Sequence, residues 1–261
     1  MRIFSNPAEA VKEVERDVYE MGILTHPQTM QDKDVKDDPE YTTKEVRGYS
    51  FKINGWDYNF DDILKVIEYF FPDQIDAISL YCLDEIKDRM CGVALNPGNA
   101  YKHRPEVWDE FLHDGKFAYT YSERMEQQVQ AALYELKDRP DTRQGIITIH
   151  TNICPTCDGQ VADTTAEENE VRISADFVNK GGGGRIPCSM YYQLMIREDK
   201  LDLIYTMRSC DLLTHFPIDI SLALMTQQWF ASRLDLPMGT FTYFAGSLHA
   251  YFKDIKNRGV F

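Results

Sequence analysis

A chain of 261 residues with 43% apolar and 12% aromatic content can bury one substantial core and runs no longer than a single large domain, so one domain spanning 1–261 is expected. Its formal charge of −14 argues against direct, sequence-independent nucleic-acid binding, which needs a basic stripe to displace counterions; any phosphate bound must meet a few placed arginines. No segment approaches a membrane span and six unevenly spaced cysteines are too sparse for a disulfide scaffold, so a soluble, cytoplasmic protein with reduced thiols and no membrane partner is expected.

Apolar residues at helical spacing (Val11, Val14, Val18, Met21) predict an opening helix over 7–22. Residues 27–45 are polar and highly charged, which suits a surface loop or flap. From Val46 to Phe60 aromatic and β-branched residues interleave with Gly48, Asn54 and Gly55, the pattern of a hairpin. Asp61 or Asp62 can cap a helix that Pro72 stops. Residues 125–138 read as an amphipathic helix, followed by a strand from Gly145 to Ile149. Between about 151 and 184 the chain turns polar and acidic and contains four consecutive glycines, so an inserted, exposed excursion is expected. Strand-like runs at 190–196 and 201–207, a helix over 219–234 and a strand over 240–244 complete the pattern. The fold class is α+β with a sizeable mixed sheet and flanking helices.

The chemistry is concentrated near the carboxy terminus, in R-I-P-C-S-M-Y-Y-Q-L from Arg185, M-R-S-C-D from Met207, F-P-I-D-I-S from Phe216 and G-S-L-H-A-Y from Gly246. From Cys188 the chain runs 20 residues to Arg208, 31 to Asp219 and 61 to His249. In motif, order and spacing this stretch resembles the thymidylate synthase superfamily, closest to its (deoxy)cytidylate 5-hydroxymethyltransferase branch. V-W-D-E-F from Val107, Tyr121 and P-D-T-R-Q-G from Pro140 extend the resemblance upstream more weakly.

The resemblance implies a mixed-sheet fold whose sheets pack at a homodimer interface, and transfer of a one-carbon unit from 5,10-methylenetetrahydrofolate to C5 of a pyrimidine nucleoside monophosphate. It makes Cys188 the nucleophile: C5 is a poor nucleophile until a thiolate adds at C6, and a thiolate near neutral pH needs cationic neighbours. Arg208 and Ser209 correspond to phosphate-binding positions, and His249 and Tyr251 to residues that hold the sugar hydroxyl. Arg143 matches the first of two arginines that reach the partner's phosphate, while Gln144 replaces the second. Asp211 corresponds to the aspartate beside the folate pterin, and Trp108, Tyr121 and Gln193 fall at active-site positions. The amino-terminal phosphate ligand is left among Lys33, Lys36 and Arg47.

Asp219 stands where thymidylate synthases carry asparagine. An asparagine amide matches the O4 and N3–H of uracil, whereas a carboxylate can accept from the 4-amino group of cytosine and support a proton at N3. dCMP or CMP is therefore the expected substrate. The family's tail that covers the folate is missing or shortened if the chain closes at Phe261, which favours water over hydride as the final nucleophile and so a hydroxymethyl product. A dCMP C5-methyltransferase or a dUMP enzyme is the alternative, and a nucleotide-binding homologue without activity the second. For the general acid/base, Glu68 is favoured over Glu85. Cys154 and Cys157 form C-P-T-C, but no second CxxC exists, so no metal is expected.

Overall fold

The computed structural model describes residues 1–30, 33–54, 58–150 and 186–258, apart from the side chains of residues 29, 30 and 33. Asn6 caps the first helix, α1 (Pro7–Met21), by accepting from the Glu9 amide at 2.8 Å, and Val11, Val14 and Val18 are buried at the expected spacing. Short strands β1 (Arg2–Phe4) and β2 (Ile23–Thr25) flank it, and β3 (Thr29–Met30) pairs with β4 (Lys33–Asp34) inside the expected loop region.

The expected hairpin over 46–60 is not formed. One strand, β5 (Thr43–Asn54), runs through Gly48, which takes φ +64 with open space where a Cβ would lie. Its partner on one side is β9 (Met238–Tyr251), paired antiparallel from Thr43↔Tyr251 to Asn54↔Thr240. Local composition shows a turn, but cannot show a partner almost two hundred residues away. The next helix, α2 (Phe60–Phe70), is capped by Asn59 rather than by Asp61 or Asp62; Asp62 is its third residue and returns a bond to the Asn59 amide at 3.1 Å.

Two helices follow, α3 (Ile75–Met90) and the single turn α4 (Pro105–Trp108). The amphipathic helix α5 (Tyr121–Asp138) starts four residues earlier than the apolar periodicity suggests, because Thr120 and Glu123 form a capping box ahead of it. Strands β6 (Gly145–Thr148), β7 (Ser189–Arg197) and β8 (Lys200–Asp211) precede α6 (Phe216–Leu234), β9 and α7 (Phe252–Asn257). The expected excursion and its C-P-T-C lie outside the described residues. No helix among the described residues is long and apolar enough to cross a membrane.

Apart from β3 and β4, the strands form one mixed sheet in the order β1-β5-β9-β8-β7-β6, with β2 also on β5. Strands β8 and β9 are parallel and joined through α6, while β7 and β8 are antiparallel. This connectivity brings the start of β7 and the ends of β8 and β9 together at one end of the sheet's central strands. One sheet face packs Tyr192, Tyr205, Tyr243 and Phe51 against Phe216 of α6; Tyr192 and Tyr205 stack at 4.6 Å. On the other face Tyr191, Gln193, Met195, Ile204, Thr206 and Phe244 keep accessible surface.

Candidate active site

Cys188 lies one residue before β7, partly exposed. The Arg208 amide donates to its carbonyl at 2.9 Å, holding the antiparallel pair together at the strand end. The Arg208 guanidinium is pinned by Nε to the Pro187 carbonyl at 2.9 Å and by Nη2 to the Ile186 carbonyl at 3.0 Å, which leaves Nη2 3.7 Å from the Cys188 sulfur. A fixed cation at that distance favours thiolate. Gly246 of β9 permits the approach, since a Cβ there would stand 2.8 Å from the Arg208 carbonyl oxygen.

Behind the thiol, Ser189 links two tyrosines: the Tyr121 hydroxyl donates to its Oγ at 3.0 Å, and the Tyr205 hydroxyl lies 2.5 Å away. Asp219 sits in the first turn of α6 and is not its cap. His215 holds that position, and its carbonyl accepts the Asp219 amide at 2.9 Å. The Asp219 carboxylate instead receives the Cys210 thiol at 3.8 Å. It is deeply set among protein atoms yet keeps some accessible surface. Burial raises its pKa to about 7, against the pull of Arg89, Cys210 and Arg104, with Glu85 adding to the rise.

The two candidate glutamates are placed differently. Glu68 is exposed on α2, because Ile63, Val66, Ile67 and Phe70 take the inward stripe and leave position 68 to solvent. Glu85 of α3 is the carboxylate that the fold sets beside Asp219, and Arg89 Nε bonds its Oε1 at 2.7 Å. Arg89 and Arg104, both buried, do not stand out in the sequence. The Glu85-to-Arg89 spacing of four on a helix is the one signal there that points to the pair. Nearby, Trp108 stacks on Tyr81 with ring centres 6.3 Å apart, and the Arg104 guanidinium lies 5.6 Å from the same Tyr81 ring.

At the ends of β8 and β9, Ser209 pairs with Ser247 and Asp211 with His249. Burial lowers the His249 pKa, with Arg208 adding to this and Asp211 and Glu45 opposing it, so the neutral ring is favoured. Burial, then Asp211 and Cys188, push the Tyr251 hydroxyl up to about 12 and keep it a donor. Its ring meets His249 edge-on at 5.3 Å. Asp211 Oδ1 accepts the Leu213 amide at 3.1 Å. Among the candidates for the amino-terminal phosphate ligand, Arg47 is exposed on β5 opposite Ser247, Lys36 pairs with Asp34 at 3.5 Å, and the Lys33 side chain lies outside the described residues.

Two expected site residues are not brought to Cys188. Gln193 is five residues along β7, where its amide donates to the Arg143 carbonyl at 3.0 Å, and Arg143 is exposed before β6 at that far end. Among the described residues no group of three or more His, Cys, Asp or Glu could hold a metal ion.

The thymidylate synthase family model matches residues 175–258. The chain is 22% identical over 166 residues to a thymidylate synthase of Baumannia cicadellinicola, covering 59% of this chain and 53% of the relative. It is 24% identical over 157 residues to one of Francisella philomiragia, covering 57% and 53%. The chain thus spans about half the length of the curated relatives it matches. The solved thymidylate synthase of T4 phage superposes with a TM-score of 0.60 at 16% identity, covering 95% of this chain and 78% of the phage chain. The thermostable thymidylate synthase A of Bacillus subtilis does so with 0.56 at 16%, covering 97% and 82%. From the amino-terminal helix to the motif-bearing strands, the chain has the thymidylate synthase fold, and residues 175–258 carry that family's sequence pattern.

Proposed function

We propose that the chain is a one-carbon transferase of the thymidylate synthase family acting on a cytidylate, dCMP or CMP, to give its 5-hydroxymethyl derivative. The observation that carries this reading is Asp219, a deeply set carboxyl with a pKa near 7, where uracil recognition would call for an amide. In its charged form it accepts from the 4-amino group; in its protonated form it offers a hydrogen to N3. The charged form, which only accepts, rejects the O4 of uracil, so the preference for cytosine rests on that form.

The Cys188 thiolate, supported by Arg208, would add to C6 and make C5 nucleophilic. Glu85 would move protons at the base and hold water. His249 and Tyr251 would bind the sugar, and Arg208 with Ser209 the phosphate. The one-carbon unit would come from methylenetetrahydrofolate, with Trp108 offering an aromatic wall and Asp211 an acceptor. The buried Arg104 Nε, which has no hydrogen-bond partner among the described residues, would meet an acceptor of a ligand bound there. The polar wall of Glu85, Arg89 and Asp219 suits a water nucleophile, which favours the hydroxymethyl product over methyl. The accessible sheet face would pack against a second copy in a cytoplasmic homodimer, with Arg143 reaching the other subunit's phosphate.

Tritium release from 5-tritiated dCMP, CMP and dUMP, with methylenetetrahydrofolate present, tests the reading, and product mass identifies the added group. Release from a cytidylate with a gain of one hydroxymethyl is expected. Preference for dUMP would overturn the base assignment, a methyl product the water step, and binding without release the catalytic role.

A further inference from the structure

Two carboxyls, Glu85 and Asp219, lie close enough to repel each other, Asp219 deeply set and the Glu85 side chain 19% exposed, an arrangement that like-charge repulsion and lost hydration both oppose. We propose that Arg89 is the positioning residue that makes this arrangement possible, clamping Glu85 in one orientation and supplying the counter-charge for Asp219. The proposal rests on the cytidylate reading for its catalytic meaning, although its structural content does not depend on it.

The side chain of Arg89 is only 4% exposed, and its contacts come from three elements. Nε bonds Glu85 Oε1 at 2.7 Å on its own helix, Nη1 donates to the Tyr192 hydroxyl of β7 at 3.3 Å, and the guanidinium carbon lies 4.3 Å from the centre of the Tyr121 ring of α5. The contacts close into a ring. Tyr192 stacks on Tyr205, the Tyr205 hydroxyl meets Ser189 at 2.5 Å, and Ser189 receives the Tyr121 hydroxyl at 3.0 Å. Ser189 follows Cys188 directly, so the ring ties the Glu85 carboxylate to the backbone that carries the thiol. A planar fork can bond a carboxylate edge-on while its face covers an aromatic ring; an ammonium cannot do both.

Charge points to the same residue. Asp219 is faced by Cys82, Glu85 and Arg89 from α3, by Arg104 from the turn before α4, by Cys210 of β8, and by the phenols of Tyr121, Tyr192, Tyr205 and Tyr243. Of these groups, only Arg89 is both a cation and bonded to the second carboxylate. Burial works against its own charge, but the Glu85 carboxylate bonded to it opposes that and helps hold the guanidinium protonated.

The test is an infrared titration of the carboxyl stretch in the full chain, with the D219N spectrum subtracted to identify the Asp219 band. In R89M the proton affinity of Asp219 should rise about tenfold or more, and R89K should return it close to wild type. R89K should still lower turnover, with little change in nucleotide KM, because lysine cannot hold Glu85, Tyr192 and the Tyr121 face together. An Asp219 titration unmoved in R89M, or an R89K titration that matches R89M, would overturn the proposal. If circular dichroism shows R89M unfolded, E85Q reads the same cluster: removing the like charge should lower the Asp219 proton affinity, and no change would count against the shared-charge arrangement. Wild-type tritium release reports on the reaction separately. A shifted Asp219 without release from any cytidylate would leave the role of Arg89 standing and remove the substrate reading.

Discussion

Nη2 of Arg208 stands 3.7 Å from the sulfur of Cys188, while Nη2 and Nε are held by two backbone carbonyls from the segment just before the cysteine. The cation is thus fixed by the chain that carries the thiol and needs no substrate to arrive there. R208M should raise the thiol pKa and, as the thiolate fraction falls, slow alkylation of Cys188 by iodoacetamide at pH 7 roughly tenfold. The rate difference should shrink as pH rises through the mutant's pKa. An unchanged rate–pH profile, read by mass at Cys188, would remove Arg208 from thiol activation.

Exchange of Asp219 for asparagine should invert the base preference. The amide restores the donor and acceptor order that uracil needs and leaves a cytosine amino group facing a donor, an effect on the order of 1–3 kcal/mol in each direction. Competition between tritiated dCMP and dUMP measures it. Equal relative release in wild type and D219N would mean that Asp219 does not read the base.

The same residue gives a stability prediction with a definite sign. Its pKa is raised from 3.8 to about 7 in the folded state, so below pH 4 it is protonated in both states. Between those values the folded protein binds the extra proton, and stability falls as pH rises. Above about 7 the loss is complete, and it amounts to no more than about 4 kcal/mol, less to the extent that water reaches the carboxyl. Urea unfolding at pH 5 and pH 8 should show a smaller drop for D219N than for wild type.

Glu85 and Glu68 separate cleanly by position. E85Q should lower turnover roughly a hundredfold or more, the range of a displaced general acid/base, whereas E68Q on the exposed face of α2 should stay within about twofold. A large effect of E68Q on tritium release would return the acid/base role to α2.

Gly246 should not tolerate alanine. The added carbon would lie 2.8 Å from the Arg208 carbonyl oxygen, so β8 and β9 must separate there, at a cost of about 1–3 kcal/mol. Both denaturation midpoint and Cys188 alkylation rate should fall, because the displaced strand carries the activating arginine.

What is legible in the sequence, and what is not, follows from the range of the interactions. Helix α1 is legible because Val11, Val14 and Val18 repeat on one face and a glycine ends it. The four segments around Cys188, Arg208, Asp219 and His249 are legible because short polar motifs at fixed separations stand out from apolar strands. Glu85 ranks second in the sequence because α3 buries Asp88 and Arg89 along with its apolar residues, which blurs the periodicity that marks an inward face. Glu68 looks better only because its apolar neighbours are conspicuous, yet those neighbours are what turn it outward. The long strand β5 reads as a hairpin because Gly48 and Asn54 are turn residues by type, and its register is set by β9.

The pairing of β5 with β9 also bears on the order in which the proposed nucleophile and its surroundings assemble. Cys188 immediately precedes β7 and Arg208 lies in β8, adjacent strands joined by a short turn, so they can meet early. His249, Ser247 and the glycine that lets β9 lie against Arg208 belong to a strand whose neighbour on one side is Thr43–Asn54. Such distant pairings form slowly, since loop closure must precede any gain from contact. During folding Cys188 and Arg208 would therefore come together before the pairing of β5 with β9 that fixes the strand carrying His249 and Ser247. The nascent protein would pass through a stage in which Cys188 is already nucleophilic and still open to oxidants and electrophiles.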